Sequence, residues 1–319
     1  MNSELKYSLE NILKQKIISS ELIQSLWSGY GSLLRIFTSE TSFIIKHIQP
    51  PSVKNHPRGW NTNISHQRKL TSYEIESAWY QHHQTNPMPK SKFPKCIHFQ
   101  KKNQEAILIL EDLKTAGFPK TKSSLSQKDI LNCLSWLAEF HTFYLNKKVS
   151  SIWETGSYWH LDTRPDELNV MKDSKLKKKA SLIDHHLNSS RFKTIIHGDA
   201  KAANFCFSDS KTEVAAVDFQ YVGYGPGVKD VAYFLSSCLD EYENEKYETF
   251  YLDHYFKALK KECKAKQPEI NINALETDWR KLYPFAWTDF VRFLMGWCPD
   301  HFKIHRYSKK QVNLCLDQI

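Results

Sequence analysis

The segment TIIHGDAKAANFCF (194–207) puts His197, Asp199, Lys201 and Asn204 into one polar loop between two short apolar runs. The apolar run TII enters this loop and the short apolar run FCF leaves it, which makes it the most specific stretch of the chain. The next apolar run, in VAAVDFQYVGYGPGVKD (214–230), ends in Asp218. Carboxylate and amide oxygens at the ends of neighbouring strands are a donor set for a hard divalent cation such as Mg2+, which keeps several of its waters.

Those residues need elements to hold them. Lys46 lies inside the strand candidate FIIKHI (43–48), where a charge is costly without a partner. A helix is expected at TSYEIESAWYQHH (71–83), with Ile75, Ala78 and Trp79 at helical spacing. Glu76 sits beside that stripe and can turn inward to Lys46; Glu74, on another face, is the competing partner. Upstream, SLWSGYGSLLRIF (25–37) reads as a loop entering a strand, with backbone N–H groups through Ser28, Gly29, Tyr30, Gly31 and Ser32 available to cover phosphates. AILILEDL (106–113) reads as a buried strand with a polar exit whose main-chain groups can meet an adenine edge. The chain has only ten glycines, and six of them stand at 29, 31, 198, 223, 225 and 227, where specialised turns are therefore expected.

Composition narrows the class. At 319 residues, 41% hydrophobic and 25% charged, the chain has room for one large domain or two modest ones with a full core. No apolar stretch is long enough to span a bilayer, and the N-terminus lacks the apolar core of a signal peptide. Seven scattered cysteines without a C-x-x-C pair argue against a disulfide framework or structural zinc and for a cytoplasmic protein. The net charge of +9 owes much to KDSKLKKKA (172–180) and KALKKECKAK (257–266), both expected to be solvated helix faces. No nucleic-acid partner and no membrane partner are expected.

The spacing His197, Asp199, Asn204, then Asp218-Phe219, follows the H-R-D-x-x-x-x-N and D-F-G order of kinase sites. With the upstream glycine loop, lysine and glutamate in the same order, the chain resembles the small-molecule branch of the protein-kinase-like superfamily. HGD in place of HRD is similar to aminoglycoside phosphotransferases and choline kinases, and the resemblance is nearest to the ecdysteroid-kinase-like group. It runs from about residue 25 to 300 through LWSGYGSLLR, LILEDL, CLSWLAEFH, HGDAKAANFCF and RFLMGW. The resemblance implies a two-lobed α/β fold, with a β-rich nucleotide-binding lobe over 1–110 and a mostly helical catalytic and substrate-binding lobe over 111–319. It implies an ATP- and Mg2+-dependent transfer of phosphate to a small-molecule hydroxyl. Asp199 would act as base and Lys201 would neutralise the phosphoryl group in flight. Asn204 and Asp218 would hold magnesium. Lys46, steadied by Glu76, would contact the nucleotide phosphates, and main chain near Glu111 and Leu113 would meet the base.

A choline-like amine alcohol and a sterol-like alcohol are the acceptors weighed. An aminoglycoside-modifying activity and a catalytically silent nucleotide-binding pseudokinase are the alternatives. Rings and charges in WETGSYWHLDTRPDEL (153–168), among them Trp153, Tyr158, Trp159, His160, Asp162, Arg164 and Asp166, are candidates for the acceptor side. So are Trp287, Phe290, Val291 and Leu294, with Asp289 and Arg292 on other faces, although core packing is the expectation for most of these rings. His141 is expected to be a buried structural histidine, and Asp230 to cap the helix it begins and brace the loop. Gln220 stands where D-F-G has glycine. The polar insertion at 50–67 reads as a surface excursion or a flap, with His66 and Arg68 on the surface.

Overall fold

The computed structural model describes residues 1–26, 29–50, 63–209 and 212–319. Its first part is a five-stranded antiparallel sheet made of β1 (Ile17–Ser25), β2 (Gly31–Thr38), β3 (Ser42–Ile48), β4 (Cys96–Lys102) and β5 (Glu105–Glu111), in the order β1-β2-β3-β5-β4. Alternation along β3 divides its side chains between two environments. Ile45 joins Leu34, Ile36, Ile107 and Ile109 in a small core closed by Leu5 and Leu9 of α1 (Ser3–Leu13). Ile44 and Lys46 point the other way, into a cleft.

The rest is largely helical. The helix α3 (Gln127–Tyr144) begins at a reciprocal cap in which Ser126 and Asp129 each bond the other's backbone. After α4 (Pro165–Val170) and α5 (Ser174–Asn188) come two small hairpin-like pairings. In one, β6 (Thr194–Ile196) pairs with β9 (Gly223–Gly225); in the other, β7 (Phe205–Phe207) pairs with β8 (Val214–Ala216). Then α6 (Val228–Cys238), α7 (Glu241–Lys266), α8 (Ile272–Trp297) and α9 (Arg306–Leu316) complete the large lobe. The two-lobed α/β fold expected from the sequence is therefore observed. Both lysine-rich runs are helix faces: Leu176 and Ala180, and Leu259 and Cys263, turn inward while most of the lysines stay exposed. All seven cysteines are free thiols, and among the described residues no helix is long and apolar enough to cross a membrane.

The helix that joins the lobes is α2 (Asn63–Thr85), longer by two turns at its start than its apolar stripe predicts. Its first residues, NISHQRKL, have no apolar period, because they face the cleft rather than a core. Farther along, Ile75, Trp79 and Tyr80 enter the large core with Phe140 and Phe219. The sheet ends at Glu111, and α2 packs both on the sheet and into the large core.

Candidate active site

The loop after β6 is held from behind. Asp230, wholly buried, accepts from the backbone N–H groups of His197 (2.6 Å) and Gly198 (2.9 Å) and from His141 Nε2 (3.1 Å). His141 in turn accepts at Nδ1 from the Tyr255 hydroxyl (2.8 Å). So Asp230 braces the loop and His141 is structural, as expected. It does not cap its own helix: α6 has Gly227 as its N-cap and no side-chain cap, and both Asp230 oxygens are spent on the loop. Gly198 has φ +77°, and a Cβ there would stand 2.0 Å from the Tyr221 carbonyl oxygen. Only glycine fits both demands.

That bracing aims Asp199 into the cleft. Its Oδ2 accepts from Lys201 Nζ (3.0 Å) and Asn204 Nδ2 (3.2 Å), while Asn204 also donates to the Asp199 carbonyl (2.8 Å). Its Oδ1 is buried without a hydrogen-bond partner among the described residues. His197 donates from Nε2 to the Val217 carbonyl (3.0 Å) and accepts at Nδ1 from the Asp199 N–H (3.3 Å), which sets the orientation of its ring.

Asp218 adopts φ +68°, a left-handed conformation that costs a non-glycine residue about 1–3 kcal/mol and clusters at functional sites. The strain is held by its neighbours. Phe219 is fully buried, stacked on Trp79 (5.2 Å between centroids) and packed against Phe93, Phe140 and His197. Gln220 donates to Asp218 Oδ1 (2.8 Å) and accepts from Lys69 Nζ (3.1 Å) and Ser72 Oγ (3.2 Å) on α2. The departure from D-F-G thus ties Asp218 to α2.

From the sheet side, Lys46 donates to Glu76, both nearly buried, and its Nζ lies 4.0 Å from Asp218 Oδ1. Glu74 binds Lys101 at the surface instead (2.8 Å), so the choice between the two glutamates falls to Glu76. The carboxyl groups are driven apart. Burial raises Asp199 above its ordinary pKa, Lys201 opposes that, and Asp218 adds to it. Burial acts on Asp218 too, but Lys46, Lys201 and Lys69 outweigh it and hold this carboxyl below its ordinary value. One group is suited to take a proton and the other to stay ionised beside a cation.

The cleft is about 910 Å³. Of the expected nucleotide residues, Tyr30, Lys46, Glu76, Glu111 and Leu113 line it. Ser28 lies outside the described residues, as does most of the 50–67 insertion. Gly29 is left-handed with open space around it. Gly31 and Ser32 are part of β2, opposite Ile48 and His47, so the loop is shorter than expected. The reason is steric: a Cβ on Gly31 would stand 1.9 Å from the His47 carbonyl oxygen, an approach that only glycine allows. Glu111 turns its carboxylate to Lys92 (2.6 Å) and its N–H to the Lys95 carbonyl (2.9 Å).

One expectation is overturned on the far side of the cleft. His66 and Arg68 are not surface residues; both line the cleft, His66 bonded to the Tyr30 hydroxyl and Arg68 donating to the Thr163 carbonyl (2.8 Å). Asp289 and Arg292, on another face of α8 than its rings, form a fully buried pair (2.9 Å) that also holds the Trp159 carbonyl. Trp159, Trp287, Phe290, Val291 and Leu294 pack inside, as expected for most of the rings. Tyr158 and Arg164 do reach the cleft, joined by Tyr221, Tyr233, Phe293 and Trp297, which the sequence did not single out. Phe293 and Trp297 lie one helical turn apart on α8, a spacing that an isolated core stripe shares.

The model of the ecdysteroid kinase-like family matches residues 39–151 and 145–267, more than two thirds of the chain. No curated protein sequence matches. Among solved structures, the choline kinase LicA from Streptococcus pneumoniae is similar at 13% identity and TM-score 0.55, covering 98% of each chain. A microcompartment-associated aminopropanol kinase has 13% identity and TM-score 0.52 over 97% of this chain and 94% of its own. A spectinomycin phosphotransferase in complex with ADP and spectinomycin has 10% identity and TM-score 0.53, over 98% and 92%. At these identities the likeness is one of fold.

Proposed function

The chain belongs to the ecdysteroid kinase-like family, and on that premise we propose that it transfers the γ-phosphate of ATP to a hydroxyl group of a small molecule, with Mg2+. The observation that carries this reading is Asp199: one carboxylate oxygen is fixed by Lys201 and Asn204, while the other is buried without a hydrogen-bond partner among the described residues. A buried carboxylate oxygen with nothing to bind is costly unless a ligand completes it. A hydroxyl donor does so, and the raised proton affinity of Asp199 suits the transfer that follows.

The donor set at the cleft floor fits magnesium. Asp218, the side-chain oxygen of Asn204 and Asp199 offer only oxygens, and among the described residues no cluster of three or more His, Cys, Asp or Glu side chains makes a closed site. Such an open site suits a cation carried mainly by water and phosphate oxygens. When bound, the cation supplies positive charge against the phosphates. In the transfer, the acceptor oxygen bonds to the γ-phosphorus as the bond to the bridging oxygen of ADP breaks, and Asp199 receives the hydroxyl proton. Lys201 balances the charge on Asp199 and faces the phosphoryl group. Lys46, held by Glu76, and the loop at Tyr30 steady the nucleotide phosphates, and Glu111 and Leu113 line the region for the base.

The test is a mass-shift screen of small-metabolite extracts with Mg-ATP, run beside the Asp199→Asn variant. A phosphorylated product is expected with the wild type, and at least about 100-fold less with the variant, while both bind nucleotide. Equal product from both would remove Asp199 from the chemistry. Nucleotide binding without product in any extract would support the pseudokinase alternative, and products confined to aminoglycosides the resistance-type alternative.

A further inference from the structure

The acceptor half of the cleft is poor in acid. Of the carboxylates lining the cleft, Glu76, Glu111 and Asp112 are engaged by Lys46, Lys92 and Arg35 on the sheet side, and Asp199 and Asp218 belong to the floor. Among the described residues, none is left to face an amine on the acceptor. Three of the cleft's rings, Tyr158, Phe293 and Tyr233, already face the chain's own cations. The Arg164 guanidinium lies 5.7 Å from the Tyr158 ring and 5.4 Å from the Phe293 ring, and Lys303 lies 5.5 Å from that of Tyr233.

Positive charge is left over instead. Arg164 is paired with Glu167 (3.1 Å), but Arg68 has no carboxylate within 4.0 Å among the described residues. Its guanidinium is half-buried in the cleft wall, with Nη1 donating to the Thr163 carbonyl (2.8 Å) and Nη2 to Ser65 Oγ (3.0 Å). Burial and the nearby Arg164 press its proton affinity below the ordinary value, against a weaker opposing pull from Tyr221, Glu167 and Asp166. Beside it, Phe293 and Trp297 stack at 12° to form an apolar wall that ends at the solvent.

Resting on the kinase reading above, we infer that the acceptor carries an anionic group, a carboxylate, sulfate or phosphate, on an apolar or aromatic body, and that Arg68 reads that group. The planar guanidinium is anchored on one side, so the acceptor meets a preset donor rather than a flexible one.

Matched sets of hydroxyl compounds test this: a carboxylic acid, a sulfate ester, a primary amide and an amine on naphthalene, steroid and hexose scaffolds. Phosphorylation and calorimetric binding are measured with the wild type, Arg68→Gln and Arg68→Lys. Acid or sulfate is expected to exceed amide and amine on at least one scaffold. Arg68→Gln should reduce that preference about 10- to 100-fold through the KM for the acceptor, and Arg68→Lys should restore part of it. Amide or amine preferred on every scaffold, no anionic compound bound at all, or an Arg68→Gln effect confined to the KM for ATP would each overturn the inference. Mg-ATP binding, measured separately, reports on the kinase reading: its absence sinks that reading, while its presence with the wrong acceptor preference sinks only this one.

Discussion

Along α2, Arg68, Lys69, Ser72, Tyr73 and Glu76 fall on the side that faces the cleft, whereas Ile75, Trp79 and His83 fall on the side packed against α3 and Phe219. Both sides are largely removed from water, and they are made of opposite materials. The cleft side uses charge: Lys69 and Ser72 hold Gln220, and Glu76 holds Lys46. The core side uses rings, with Trp79 stacked on Phe219 and His83 kept neutral between the Trp79 carbonyl (2.8 Å) and the Tyr144 hydroxyl (2.6 Å). The comparison separates two jobs of one helix. One side sets the positions of groups at the site, and the other fixes the helix to the large lobe.

The sharpest way to break that division is Trp79→Ala. It should cost about 3–5 kcal/mol of stability by leaving a cavity among Phe93, Phe140 and Phe219. Denaturant unfolding measures it, and a loss under about 1 kcal/mol would show that this side is not what anchors the helix.

Next comes His83, whose pKa burial lowers from 6.5 to about 4. A histidine with a depressed folded pKa contributes its full share above pH 6.5. That share is lost as the pH falls from 6.5 towards 4, because the unfolded chain takes up the proton first. The shift corresponds to about 3 kcal/mol. Unfolding free energies across that range should fall more steeply for the wild type than for His83→Gln; parallel curves would contradict the neutral, buried role.

The smallest expected effect is the most specific. Glu76→Gln keeps the shape but removes the charge facing Lys46, and should lower kcat/KM for ATP about 10-fold, with the acceptor's KM little changed. A fall in the acceptor term instead would move Glu76 out of the nucleotide side.

The same helix explains what the sequence could convey. The stripe Ile75, Ala78 and Trp79 announces a helix because core contacts repeat at its period. The polar turns before it carry no such signal, since residues lining a cleft can be charged at helical spacing and look like a solvated face. Hence Arg68 was expected at the surface. The floor of the site was legible for a different reason: Asp199, Lys201 and Asn204 share one loop, and Asp218 closes the next strand, so their proximity is local in sequence. The acceptor side draws on α2, the loop at 158–164, Tyr221 and α8, and only folding collects them. The first helix and the outer strands β1 and β4 gave no clear pattern, because the edge strand β1 is exposed along nearly all its length.

Gly198 carries a consequence for how such a chain changes over time. A protein-kinase loop has arginine at this place in its H-R-D motif. Here any side chain at 198 would have to share space with the Tyr221 carbonyl oxygen and the Ser157 N–H, at 2.0 and 2.9 Å from its first carbon. The turn after Phe219 is packed directly onto the catalytic loop, so neither can be altered alone. A side chain at 198 therefore fits only if the backbone at Tyr221 and Ser157 shifts with it, so the identity of this one residue is tied to the path of two segments far from it in sequence.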